Sequence, residues 1–231
     1  MVKRLLLLIF LFIAGLVISE RIVAQRILGA ISAGMNLTQV DGDDFYGFHK
    51  FGLNVGPMVI IPFGKSKNWS VSMELLYSQK GSYHKGTSDS TTSYTYHLVL
   101  DYVEIPVLIH YTDKKLISGG VGFSYGRLIN YKETKNNFFD TLYKYQTPLS
   151  NNDFSVLADV QIRIWSKLWA DLRYQYTVKS NRNVVIDNPF FYPRKPFTRD
   201  QYNNVITIRL TWVFNQPKII KPPSGSDSGG E

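Results

Sequence analysis

Four histidines, at positions 49, 84, 97 and 110, are the side chains of this sequence best suited to moving protons near neutral pH. His110 stands three residues before Asp113, while His49, His84 and His97 fall at the edges of segments that read as loops. None belongs to a G-x-S-x-G elbow, an H-E-x-x-H zinc pair or a P-loop, so none acquires a nucleophile, a metal or a phosphate to act on. The acidic run Asp41-Gly42-Asp43-Asp44 lacks the downstream glutamate of an EF-hand loop and reads as a solvated tip. There is no cysteine, which excludes disulfides and thiolate metal sites. No catalytic residue, metal site or cofactor is therefore expected.

A second charged set has clearer spacing. Glu74, Glu104, Asp159, Arg163, Asp171, Arg173 and Arg209 each occupy the polar phase of a segment whose alternate residues are apolar. Period-2 alternation marks β-strands, whose side chains point to opposite faces in turn. Eight such segments are expected, at 27–40, 50–63, 69–78, 98–111, 116–131, 153–165, 168–178 and 201–214. Their connections alternate between long (41–49, 81–93, 132–152, 179–200) and short (64–68, 113–115, 166–167), the pattern of outer-membrane barrels. All four tryptophans (69, 165, 169 and 212) lie beside short turns or the end of the last strand, and many tyrosines lie near the long loops, as two interfacial belts would require.

Alternation alone does not say which face is outside, and a secreted lipocalin-like barrel is the runner-up. Volume decides. An eight-stranded barrel has an interior just wide enough for packed side chains or one small ligand, too little for roughly forty mostly large apolar groups. The fold class expected is all-β, an eight-stranded antiparallel transmembrane barrel with its apolar set toward lipid. The seven charged residues then fill the lumen, where they must pair. A polar plug that fixes register is the structural reading of this cluster, and a proton or solute path the functional one. A filled lumen disfavours a pore.

The fourth segment has a peculiarity. Its apolar residues are Tyr94, Tyr96, Leu98, Leu100 and Tyr102, then Val103, Ile105, Val107, Ile109 and Tyr111, a slip of one. A β-bulge near Tyr102 and Val103 is expected to absorb the slip and to make room for Pro106, which has no N–H to donate. The phrase Asp101-Tyr102-Val103-Glu104-Ile105-Pro106, with MELLYSQKGS at Met73 to Ser82 and GGVGFSYG at Gly119 to Gly126, resembles the PorT-like family of Bacteroidetes outer-membrane β-barrels. The resemblance runs from about Gly29 to Phe214. It implies an outer-membrane barrel and, through the family's founding members, a place in type IX secretion and gliding.

At the amino terminus Lys3 and Arg4 precede an apolar run, 5–18, of signal-peptide length and too short to span a membrane comfortably. With Val23-Ala24-Gln25 as the cleavage point, residues 1–24 read as an export signal, 25–214 as the barrel and 215–231 as a disordered periplasmic tail rich in Pro, Ser and Gly. An uncleaved anchor is the alternative. Cleavage removes three positive side chains and one negative, taking the formal charge from +8 to +6. Without a basic helix, zinc pattern or RNP-like motif, that charge points away from nucleic acid and toward anionic outer-membrane lipopolysaccharide or an acidic envelope protein. Loop aromatics Phe45, Tyr46, Phe48, Phe138, Phe139, Phe190, Phe191 and Tyr192 either anchor the rim in lipid or touch a partner. The role expected is a non-enzymatic structural or accessory component of an envelope complex. The alternatives are a surface adhesin or ligand-binding barrel using its loops, and a lipid-modifying outer-membrane enzyme.

Overall fold

The computed structural model describes residues 27–43, 47–85, 95–135, 143–146, 148–186 and 197–215. Residues 1–24, expected as an export signal, the stretch beyond Asn215, expected as a tail, and, of the loop aromatics, all but Phe48 lie outside the described residues.

Eleven strands follow one another: β1 (Leu28–Asp41), β2 (Lys50–Phe63), β3 (Trp69–Glu74), β4 (Leu76–Lys85), β5 (Thr95–Asp113), β6 (Ile117–Lys135), β7 (Tyr143–Gln146), β8 (Asn152–Arg163), β9 (Leu168–Thr177), β10 (Arg182–Ile186) and β11 (Phe197–Val213). β3 and β4 share one stave of the wall, because their registers against β2 and β5 are continuous. The break at Leu75 has a cause on each side: Pro57, opposite Leu75 on β2, and Pro106, opposite Glu74 on β5, have no N–H to give. Every neighbouring pair is antiparallel, and β1 pairs with β11 to close a ring of eight staves. β7 and β10 lie off the ring, continuing the sheet from the loop end of β11.

Segments 81–93, 132–152 and 179–200, expected as loops, are shorter than that. β4 runs on to Lys85, β6 to Lys135, β7 and β10 form inside the loops, and β11 starts at Phe197. In GSYHK at 81–85 and KETK at 132–135 no apolar residue recurs at every second position, which removes the alternation a sequence reading depends on.

Side chains alternate as the ring demands. Ile105, Ile109, Val121, Phe123, Val156, Val160, Leu172, Ile208 and Leu210 are exposed on the outside, whereas Glu74, Glu104, Asp159, Asp171, Arg173 and Arg209 are at most 4% exposed inside. A continuous exposed apolar girdle with a buried ionic interior is stable only with lipid around it.

β5 overturns one expectation. Its even-numbered residues from Tyr96 to His110 all face inward with no interruption, so the strand has no bulge to absorb a slip. The extra residue belongs to its partner: Asp101 pairs with Asn130 and Tyr102 with Leu128, leaving Ile129 of β6 over. The apolar pattern changes face because the surroundings change. Below Tyr102 the outer face meets lipid; above it Tyr96, Leu98, Leu100 and Tyr102 pack inside with Val40, Leu128 and Leu149, as in a water-immersed barrel. On the outer face Trp69 and Tyr111 stack edge to face at 5.1 Å, and paired residues continue apolar up to Tyr77 and Val103. Gln79 and Asp101 come next. Eight tilted residue steps make this band about 20 Å tall, close to the lipid-facing height of an outer-membrane barrel.

Trp69, Trp165 and Trp212 are exposed at the short-turn end, but Trp169 is not part of a belt. It is buried inside with Leu28, Ala30, Met58 and Val213, under the Arg163 guanidinium, and closes the barrel floor.

Candidate functional site

The interior is built by β-alternation bringing polar residues from distant strands to one axis. Glu74 of β3 is the hub of the lower half. It accepts from Arg173 Nη2 of β9 at 2.7 Å and Nη1 at 3.3 Å, and from Arg209 Nη1 and Nη2 of β11 at 2.6 and 3.0 Å. Arg173 also donates to Asp159 of β8 at 2.9 Å, and Arg209 Nε to Asp171 at 2.6 Å. Five of the seven sequence-derived residues thus form one network. The other two stand apart. Arg163 donates to the Trp165 and Ser166 carbonyls at the floor, and Glu104 takes Lys80 as its partner.

Lys80 organises the layer above. Its ammonium contacts Glu104 and lies 3.1 Å from Asp153, with no part of the side chain exposed. Asp153 also accepts from Asn203 and Thr177, and Glu104 from Gln175. Lys80 and Asp153 were missed as interior residues because each borders a polar connection. The signal was nonetheless present, since Lys80 continues the inward phase of Glu74, Leu76 and Ser78. Above the apolar plug, Arg182 of β10 pairs with Glu133 of β6 at 2.9 Å and donates to Tyr96 and Gln201, tying the loop-side extension across the mouth.

The glycine and serine face of β6 lines this interior. A Cβ on Gly120 would collide with the His110 ring and Asp159, and one on Gly126 would press on Glu104 and Asp153. The missing side chains make room for ionic ones from opposite staves.

His110 bonds to Asp159 (Nε2 to Oδ1 3.0 Å), not to Asp113, with Ser72 Oγ 3.5 Å from its Nδ1. The order serine, histidine, aspartate matches a hydrolytic triad, but all three are buried, the Ser72 to His110 distance is long, and Asp159 is shared with Arg173. A nucleophile sealed in a packed interior cannot reach a substrate carbonyl. The other histidines sit near the loop end: His97 meets Tyr83 edge to face, and His49 is exposed. Among the described residues no group of three or more His, Cys, Asp or Glu could hold a metal. Phe48, half-buried, is the one loop aromatic placed.

Asp101 is an acid on the outer wall at the top of the apolar band. The side-chain amides of Gln79 and Asn130 donate to its two oxygens at 2.9 and 3.0 Å, leaving it 8% exposed. Its charge is hidden where lipid gives way to water.

A family model described as an outer membrane protein beta-barrel domain matches residues 24–181. Among solved structures, the attachment invasion locus protein Ail of Yersinia pestis, in complex with the heparin analogue sucrose octasulfate, is similar at 12% identity and TM-score 0.44, covering 82% of this chain and 99% of that one. OprG of Pseudomonas aeruginosa is similar at 11% identity and TM-score 0.45, covering 82% and 97%. Neisserial surface protein A is similar at 8% identity and TM-score 0.41, covering 80% and 97%. No curated protein matches the chain.

Proposed function

The chain belongs to the outer-membrane protein β-barrel domain family, and from that premise we propose that it is a non-enzymatic structural or accessory member of an envelope protein assembly in the outer membrane. The observation that carries this reading is the filled interior. Lys80, Glu104, Arg173, Arg209, Leu98 and Leu100 are all within 2% of full burial, which supports neither a pore nor a ligand chamber. A barrel without inner space acts through its outer wall, loops and ends. The phrases at Met73 to Ser82, Asp101 to Pro106 and Gly119 to Gly126 support the narrower PorT-like membership and, with it, type IX secretion as the assembly. Residues 1–24 act as the export signal and 215–231 as a periplasmic tail in this reading. Its partners are outer-membrane lipid and envelope proteins, not nucleic acid.

Purification of the tagged protein in mild detergent, with identification of what accompanies it, tests the proposal. Stoichiometric envelope proteins are expected; a barrel that always purifies alone would refute the accessory role. One observation favours surface binding as a second reading: past the apolar band β1, β5 and β6 surround an apolar core, and the Arg182–Glu133 pair ties β10 to β6, a rigid base for loops. Loop deletions that abolish adhesion and leave secretion intact would select it.

A further inference from the structure

The three short turns joining β2 to β3, β5 to β6 and β8 to β9 carry Lys65, Lys67, Lys114, Lys115 and Lys167. Among the described residues at this end the one neighbouring acid is Asp113, and none of the five lysines forms an ion pair with a described residue. Four of the lysines are exposed and Lys167 is half-buried. The turns fall at three of the four connection points around the rim, the fourth being the ends of β1 and β11. The charge therefore lies on three of the four sides of the rim.

Backbone geometry gives a second, independent observation. Lys67 (φ 54°), Lys114 (φ 45°) and Lys115 (φ 59°) are the only non-glycine residues with positive φ among the described residues. Two consecutive positive φ values between paired strands are the mark of a type I′ hairpin turn, where Asn-Gly is the favoured pair. Lysine is a poor choice there on conformational grounds, so the turn chemistry does not account for it.

Position supplies the partner. Trp69 directly follows the first turn, Tyr111 precedes Lys114 by three residues, and Trp165 precedes Lys167 by two; all three aromatics are exposed at the edge of the apolar band. Each ammonium, on a flexible stem, is thus set just beyond the hydrocarbon at headgroup depth. We propose that these five lysines form a ring that gathers anionic phospholipid headgroups of the inner leaflet around the periplasmic end of the barrel. A ring distributed along the rim and level with the aromatic belt fits a lipid annulus better than one protein patch. The inference goes beyond the proposed assembly role, and it holds whether or not a secretion partner exists.

All four tryptophans lie at this end, so intrinsic fluorescence reports on its lipids without added labels. The mature full-length chain is reconstituted in phosphatidylcholine vesicles containing an equal minor share of either phosphatidylglycerol or phosphatidylcholine brominated high on the acyl chain. Each lysine in reach of a headgroup favours the anionic lipid by about fivefold, so brominated phosphatidylglycerol must quench several-fold more effectively. High salt must erase the difference, because exposed charges are screened. Replacing all five lysines with Gln must also erase it, and replacing them with Arg must keep it. Lys114→Asn with Lys115→Gly guards against misfolding, since that pair improves the turn while removing two charges: the preference must fall in a barrel that is no less stable. Equal quenching by the two lipids in the unaltered protein overturns the proposal, as does a preference that survives the Gln replacements. Equal quenching together with lysine-dependent capture of an acidic periplasmic protein would assign the ring to that protein and overturn the lipid reading.

Discussion

Lys80→Met removes the one cation that Glu104 and Asp153 share while keeping a chain of similar length. Both carboxylates are 1% exposed, so water cannot replace the ammonium. Breaking a buried ion pair by deleting one partner costs about 3–5 kcal/mol. Here the variant has an escape, because one carboxyl can bind a proton. For a carboxyl that ordinarily titrates near pH 4, protonation costs about 4 kcal/mol at pH 7 and about 1.4 kcal/mol less for each unit the pH falls. The loss in Lys80→Met should therefore be close to 4 kcal/mol at pH 7 and shrink to roughly 1–2 kcal/mol at pH 5. Adding Glu104→Gln and Asp153→Asn removes the stranded charges and should recover most of the stability, because a neutral interior of the same shape is tolerated. Urea unfolding in lipid vesicles, followed by tryptophan fluorescence, measures all three proteins. A Lys80→Met barrel within 0.5 kcal/mol of the parent (roughly the scatter of neutral substitutions), with no growth of the loss as pH rises, would show that this layer is not the ion-paired core described.

Other expectations follow from the placement of the wall. Val107→Arg puts a charge in the middle of the lipid-facing band and should cost about 2–4 kcal/mol, whereas Val99→Arg, outward but above the band, should cost about 0–1 kcal/mol; the same unfolding assay separates them. Burial, with Lys50 and Lys132 nearby, holds the His97 imidazole below its ordinary 6.5, and burial with His49 nearby does the same to His84. Both are depressed bases, so the unfolded chain binds protons first and stability should fall as pH drops below 6.5; His84→Gln with His97→Gln should flatten that slope in unfolding curves. In planar bilayers the purified protein should give no unitary conductance steps, and regular steps would contradict a filled interior.

Much of the barrel was legible because lipid and lumen impose opposite demands on neighbouring residues. Lys50 to Phe63 alternates from end to end and is a strand over those same residues. Legibility failed where that contrast fades. Beyond Asp101 the outer face meets water, so the apolar set of β5 moves inward, and a pattern of residues cannot distinguish a change of environment from a bulge. Arg182 and Glu133 were hidden in stretches without apolar alternation, although they bridge β10 and β6. For the interior, the charged residues were identifiable by phase, but not their partners. Glu104 meets a lysine from β4 and not an arginine, because the stagger of staves around the ring, which no single strand encodes, decides which inward residues share a level. Trp169 shows the same limit: adjacency to a turn suggested a belt, yet its parity turned it to the floor.

The claim that β5 crosses from lipid into water without breaking its alternation can be measured most directly by single spin labels along it, scored for contact with oxygen, which partitions into lipid, and with a water-soluble nickel chelate. Labels at Val103, Ile105, Val107 and Ile109 should meet oxygen, those at His97 and Val99 the nickel reagent, and those at Leu98, Leu100 and Leu108 neither. Oxygen contact at Leu98 and Leu100, or nickel contact across 103–109, would contradict the account.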